Sequence, residues 1–184
     1  MQVVDQAIPD VKLVITNRFG DDRGWFSETF RADILAAHGI SDSFVQDNQS
    51  FSAQQGTVRG IHFQTHPHAQ AKLVRVLSGA ILDVAVDLRR DSPTYGRHVA
   101  ARLDAENGHQ LFIPVGFGHA FCTLTPDTMV AYKVAGGYYS RPHDGAVLWN
   151  DPDLGIDWPV AADEAVLSDK DTKAPRFADL PPLF

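Results

Sequence analysis

From Phe44 to Val134 the chain repeats one pattern, a strand-length apolar run closed by a turn signal, and this repetition restricts the fold more than any other feature. The runs are Phe44–Gln46, Val58–Phe63, Lys72–Leu77, Ala80–Leu88, Tyr95–Leu103, Leu111–Pro114, Ala120–Leu124 and Met129–Val134. Leu77-Ser-Gly79, Asp91-Ser-Pro93, Glu106-Asn-Gly108 and Thr125-Pro-Asp127 punctuate them. Many short strands at regular spacing predict an all-β sandwich or barrel. Side chains alternate across a strand, so Leu82, Val84, Val86 and Leu88 are expected to pack on one face. Asp83, Ala85 and Asp87 then face the other way, where they can line a polar cavity.

Before this series, Lys12–Thr16 and Trp25–Phe30 read as strands on either side of a tight turn at Gly20-Asp-Asp-Arg-Gly24. Arg31–His38 reads as a short peripheral helix with a stripe of Ile34, Leu35 and His38, ended by Gly39. From about Trp149 the repeated Asp-Pro and Pro-Val read as irregular structure lying over the barrel. With 184 residues, a single domain spanning 1–184 is expected.

Composition excludes several function classes. A net charge of −7 argues against a general nucleic-acid binder, which needs a broadly basic face. No apolar run reaches membrane-spanning length, and the first residues carry no basic region followed by an apolar stretch, so no membrane partner is expected. The lone Cys122 excludes an internal disulfide and makes a reducing cytoplasm the expected location.

The polar residues crowd into Thr57–Gly79, which carries Arg59, His62, His66, His68, Lys72 and Arg75 between two strand-like runs. His62 and Lys72 lie on adjacent segments, and either face one cavity or form solvated strand ends. Imidazole takes a proton near neutral pH, and an ammonium attracts a developing anion.

Gly60-x5-His66-x-His68-x3-Lys72-x6-Gly79 resembles the first cupin motif, and Gly108-x5-Pro114-x-Gly116-x2-His119 the second. The resemblance implies a cupin-type double-stranded β-helix, or jelly roll, with one or more short peripheral helices. His66, His68 and His119 would then suit a divalent metal, but Lys72 occupies the glutamate position, where an ammonium repels a cation and supplies no ligand. His66 and His68 therefore read as surface residues.

A more specific resemblance runs nearly end to end. Phe19-Gly-Asp-Asp-Arg-Gly24, Gln46-Asp-Asn48, Val58–Gln64, Ala69–Val76, Asp83–Asp87, Ile113–Phe121, Tyr132-Lys133, Trp149–Pro152 and Leu167–Asp171 are similar, in order, to the RmlC-like family of dTDP-4-dehydrorhamnose 3,5-epimerases. That resemblance implies epimerisation at C3 and C5 of a dTDP-4-keto-6-deoxy sugar without cofactor or metal, in a homodimer with N-terminal strands crossing between subunits. His62 is then the base, Asp171 the carboxylate orienting it, Lys72 the cation near the C4 oxygen and Tyr132 the acid on the opposite face. Asp83 either pairs with Lys72 or faces solvent. Arg23, Arg59, His119 and Lys170 are the phosphate-side residues, Phe26 and Tyr138 enclose the base, and Glu28, Gln46, Asp47 and Asn48 bond the nucleoside. A single-carbon epimerase of a related sugar and a non-catalytic sugar-nucleotide-binding cupin are the rival readings. Alternation puts Arg59 and His62 on opposite faces, so a bulge or twist at Gly60 is expected if both serve one site. Arg141-Pro-His-Asp-Gly-Ala146 departs from the acidic loop of relatives, which leaves a substrate contact there unassigned.

Overall fold

The computed structural model describes all residues, 1–184. Thirteen strands and two short helices follow one another as β1 (Gln2–Asp5), β2 (Lys12–Ile15), β3 (Phe19–Asp21), β4 (Gly24–Phe26), α1 (Ala32–Ala37), β5 (Phe44–Ser52), β6 (Val58–Gln64), β7 (Gln70–Ser78), β8 (Ala80–Asp87), β9 (His98–Asp104), β10 (Gln110–Ile113), β11 (Phe117–Thr123), β12 (Thr128–Gly136), β13 (Asp144–Ala146) and α2 (Asp169–Thr172). They build a six-stranded sheet ordered β1-β2-β10-β7-β12-β5, a five-stranded sheet ordered β13-β6-β11-β8-β9, and a separate β3-β4 hairpin. Every pairing within these sheets is antiparallel. This is the all-β architecture expected from the spacing of the runs, in the jelly-roll form that the cupin resemblance implies.

The core between the sheets holds Val74, Val76, Leu111, Ile113 and Val130 from one sheet and Ile81, Ala85, Val99, Leu103, Phe117 and Phe121 from the other. Each outer face is covered as well. Ile61, Phe63, Val84, Val86, Leu88 and Ala120 pack under Ile156, Trp158, Phe177, Leu180 and Phe184 of the C-terminal segment. On the other side Ala71, Leu73, Phe112 and Ala135 meet Leu35, Ile40, Phe30 and Phe44. The alternation in β8 is as expected: Val84, Val86 and Leu88 join the outer layer, while Ala85 joins the inner core.

Strands β1, β3 and β13 lie outside the expected runs, and four boundaries differ from the sequence expectation by three residues or more. The strand expected over Trp25–Phe30 ends at Phe26. Residues beyond it cross the six-stranded sheet, where the Thr29 carbonyl accepts a hydrogen bond from Gln110 Nε2 at 2.6 Å. The expected Phe44–Gln46 run extends to Ser52 as an edge strand that alternates between partly covered and exposed residues. The run from Tyr95 begins only at His98, since Tyr95–Arg97 turn back toward Asp87, and β11 begins at Phe117 rather than Ala120. In α1 only Leu35 is buried; Ile34 is half-covered and His38 exposed.

Candidate active site

A cavity of about 400 Å³ opens at one end of the barrel, and His62, Lys72, His119, Tyr132, Arg59 and Asp171 all border it. His62 comes from β6 in the five-stranded sheet, while Lys72 and Tyr132 come from neighbouring β7 and β12 in the six-stranded sheet. The imidazole and the phenol therefore reach the cavity from opposite walls.

Arg59 and His62 both reach the cavity because β6 carries one extra residue against β11. His119 stands opposite His62 and Phe121 opposite Arg59, so three residue steps on β6 match two on β11. Gly60 lies in this bulge at φ +136°, a backbone region that L side chains rarely adopt. A Cβ there would stand 2.3 Å from the Ala120 Cβ and 2.7 Å from the His119 carbonyl. The irregularity expected at Gly60 is present.

His62 Nε2 lies 2.5 Å from Asp171 Oδ1, although the two are 109 residues apart. The C-terminal segment carries Asp171 to this point: Thr57 bridges Val166 in parallel, and Ser168 then caps α2 by accepting from the Asp171 amide. Ser168 Oγ also donates to Asp171 Oδ2 at 2.7 Å. Burial raises the Asp171 pKa, but the hydrogen bonds from His62 and Ser168 and the His62 charge outweigh it, holding the carboxyl below its ordinary value. An ionised Asp171 accepts a hydrogen bond from Nε2–H, and in that tautomer the His62 ring carries its lone pair on Nδ1, where base chemistry needs it.

Lys72 Nζ stands 5.9 Å from the centre of the Tyr132 ring. Burial brings its pKa down to about 8, against the opposing pull of Asp83 and Asp144 and with help from Lys170. It is a cation at neutral pH, poorly solvated and available to an oxyanion.

Asp83 does not take Lys72 as its hydrogen-bond partner. Its Oδ1 lies 2.7 Å from His119 Nε2, and Oδ2 has no hydrogen-bond partner. Asp83 stands directly opposite Phe121 on β11, which makes His119 its diagonal neighbour, whereas Lys72 is in the other sheet. Burial raises the Asp83 pKa, opposed by His119 and by the Lys72 charge. Burial likewise lowers that of His119, with Asp83 opposing and Lys72 and His62 reinforcing the shift. His119, read from the sequence as a phosphate-side group, thus sits buried at the cavity wall with one ring nitrogen committed to Asp83.

Comparison with known proteins decides the family. The family model described as dTDP-4-dehydrorhamnose 3,5-epimerase matches residues 5–179. The dTDP-4-dehydrorhamnose 3,5-epimerase of Sinorhizobium fredii is 51% identical over 97% of this chain and 90% of its own. The chain belongs to the dTDP-4-dehydrorhamnose 3,5-epimerase family. Among solved family structures, the Bacillus anthracis enzyme with TDP and PPi bound superposes with a TM-score of 0.91 at 51% identity, covering 95% of this chain and 98% of that one. The RmlC of Legionella pneumophila, in complex with dTDP-4-keto-L-rhamnose, gives a TM-score of 0.92 at 40% identity over 98% and 94%.

The remaining nucleotide-side residues of the family pattern divide into two groups. Arg59 borders the cavity, its Nη2 donating to the Phe51 carbonyl at 3.0 Å. Gln46 and Asn48 point inward on β5, bonded to each other at 2.9 Å, with Asn48 directly opposite Tyr132. Asp47 points the other way and pairs with Lys133 at 3.0 Å, so within one subunit alternation removes it from the site. Lys170 is held by Asp144 at 2.6 Å, and Gln64 Nε2 also donates to Asp144, tying the divergent Arg141–Ala146 segment to α2. Arg23, Phe26, Glu28 and Tyr138 do not border this cavity. Phe26 and Tyr138 are 69% and 65% exposed, and Arg23 pairs with Asp21, as a turn residue would.

His66 packs edge-on against Phe184 and His68 lies over His143, ring centres 4.6 Å apart, so neither joins His119. No group of three or more His, Cys, Asp or Glu side chains is placed to share a metal ion. Sequence reading missed Ser168, which its Ser-x-x-Asp spacing before a helix could have revealed as a cap.

Proposed function

We propose that this family member epimerises C3 and C5 of dTDP-4-dehydro-6-deoxy-D-glucose, giving dTDP-4-dehydro-L-rhamnose, without metal or organic cofactor. The observation that carries this reading is the approach of His62 and Tyr132 from opposite walls with Lys72 beside the phenol. The C4 ketone acidifies the hydrogens on both flanking carbons. His62 Nδ1 removes one of them, and Asp171 stabilises the imidazolium. The electron pair moves onto the C4 oxygen, where the Lys72 ammonium compensates the charge. The Tyr132 hydroxyl then delivers a proton to the opposite face of the same carbon, the phenolate recovers a proton from solvent, and the His62 imidazolium releases its proton to solvent, which returns both groups to their starting forms. The sequence repeated at the second carbon completes the conversion.

Lys72 fills the role a metal plays elsewhere, so treatment with EDTA is expected to leave the rate unchanged. Loss of activity restored by a divalent metal would overturn that part of the reading. The main test is turnover in deuterium oxide followed by NMR. Deuterium is expected at C3 and C5 in the wild type and exchange is expected to disappear in His62→Ala; normal exchange in that variant would overturn the assignment.

We further propose a homodimer in which the β3-β4 hairpin of the second subunit, with the residues just after it, brings Arg23, Phe26 and Glu28 to the cavity mouth. Support comes from their position outside their own cavity and from the aromatic surface they leave uncovered: Phe19, Trp25 and Phe26 are 62%, 59% and 69% exposed.

A further inference from the structure

Most polar side chains around the cavity already have a protein partner. His62 has Asp171, His119 has Asp83, Ser168 has Asp171, and Arg59 has Ser52 and the Phe51 carbonyl. Lys72 and Tyr132 are left for the substrate by the chemistry above. Ser50 also borders the cavity, and its Oγ is shielded from solvent without any hydrogen-bond partner.

Ser50 sits on the inner face of β5, directly opposite Val130, which belongs to the core between the sheets. Asn48, two residues earlier on that face, is opposite Tyr132, and Ser52, two residues later, accepts from Arg59 Nε at 3.3 Å. The hydroxyl therefore lies along the row that joins the proposed acid to the proposed phosphate cation. A buried hydroxyl without a partner destabilises the empty protein, and a bound oxygen would relieve that cost. Serine reaches all three staggered rotamers, so Oγ can turn toward a group entering the cavity.

We propose that Ser50 is a substrate contact that donates its hydroxyl hydrogen to an oxygen of the sugar-linked phosphate, beside Arg59. This rests on the function proposed above, in which the hexose lies between His62 and Tyr132. The phosphate attached to its C1 must then lie next along the cavity, toward Arg59. By fixing that phosphate, Ser50 sets how far the hexose advances between base and acid.

The test is Ser50→Ala, because a structural hydroxyl and a ligand contact predict opposite patterns. A serine that holds the fold would lower Tm when removed and leave nucleotide affinity alone. A substrate contact gives a variant at least as heat-stable as wild type, since an unpaired buried hydroxyl has been removed, but weaker for diphosphate. Isothermal titration is expected to show dTDP binding weakened about 10-fold to 100-fold, the range for a hydrogen bond to a charged group, with dTMP binding unchanged because it lacks the outer phosphate. Equal dTDP affinity in the two proteins, or equal weakening of dTDP and dTMP, would overturn the Ser50 assignment while leaving the epimerase reading intact. A wild type that neither binds dTDP nor exchanges substrate hydrogen would overturn both.

Discussion

Lys72 is partly buried at the cavity wall and Asp171 fully buried, yet their surroundings treat the two charges oppositely. Asp171 is compensated by His62 and Ser168, so its pKa lies below the ordinary value, whereas Lys72 lacks a direct ion-pair partner and is depressed to about 8. Its folded pKa is below the unfolded value, so charging it opposes folding fully below pH 8, and the penalty fades as pH rises from about 8 toward the ordinary lysine pKa of 10.5. Catalysis needs the charged form and runs the other way: kcat/KM is expected to fall as pH rises through about 8, measured as an alkaline limb in its pH profile. Lys72→Met should accordingly raise Tm while lowering kcat by roughly 10²- to 10³-fold, the scale for losing one oxyanion donor. Asp171→Asn is expected to place an amide donor against Nε2, push the imidazole proton onto Nδ1 and lower kcat by a factor on the order of 10⁴. A normal rate in that variant would exclude the tautomer argument. That His62, Lys72 and Tyr132 would share one cavity was legible through the family resemblance of the segments that carry them. The partner of Asp83 was not, since alternation fixes which face a side chain occupies without saying which strand lies beside it.

At the scale of elements, the site depends on the bulge in β6. Regular alternation would send either Arg59 or His62 away from the cavity, and the extra residue at Gly60 turns both inward. This was legible, because two residues wanted in one place had the wrong spacing and a glycine stood between them. Gly60→Ala meets backbone as well as side-chain atoms of His119 and Ala120, none of which can swing aside, and its φ is strained for any L residue. A loss of about 3 kcal/mol or more is expected in denaturant unfolding, together with a lower kcat in whatever protein folds. A variant with normal stability and rate would show that the bulge is dispensable. The full length of β5 was hidden for a different reason. Its faces meet the cavity and solvent, so Gln46, Asn48, Ser50 and Ser52 alternate with exposed residues and no apolar period marks the strand.

In the proposed homodimer, the molecule as a whole would divide the reaction between two subunits. One chain supplies base, acid and oxyanion cation within its own barrel, but Arg23 and Phe26 lie on a hairpin outside that cavity. The family resemblance gave these residues as a set and implied N-terminal strands crossing between subunits, but it did not show that the hairpin lies outside the cavity of its own chain. If the hairpin serves the neighbouring barrel, then Arg23→Ala/Phe26→Ala and His62→Ala are defects of different halves of each site. Each variant alone should be nearly inactive. In a mixed dimer, the barrel of the hairpin variant receives an intact hairpin from the His62→Ala chain, which restores one complete site. Unfolding and refolding the two variants together should therefore recover deuterium incorporation that neither shows by itself, and recovery should rise with the fraction of mixed dimer. Sedimentation of the wild type should give a dimer. No recovery from mixtures shown by mass spectrometry to contain mixed dimers would mean that each hairpin serves its own subunit or none, and the divided site would have to be abandoned.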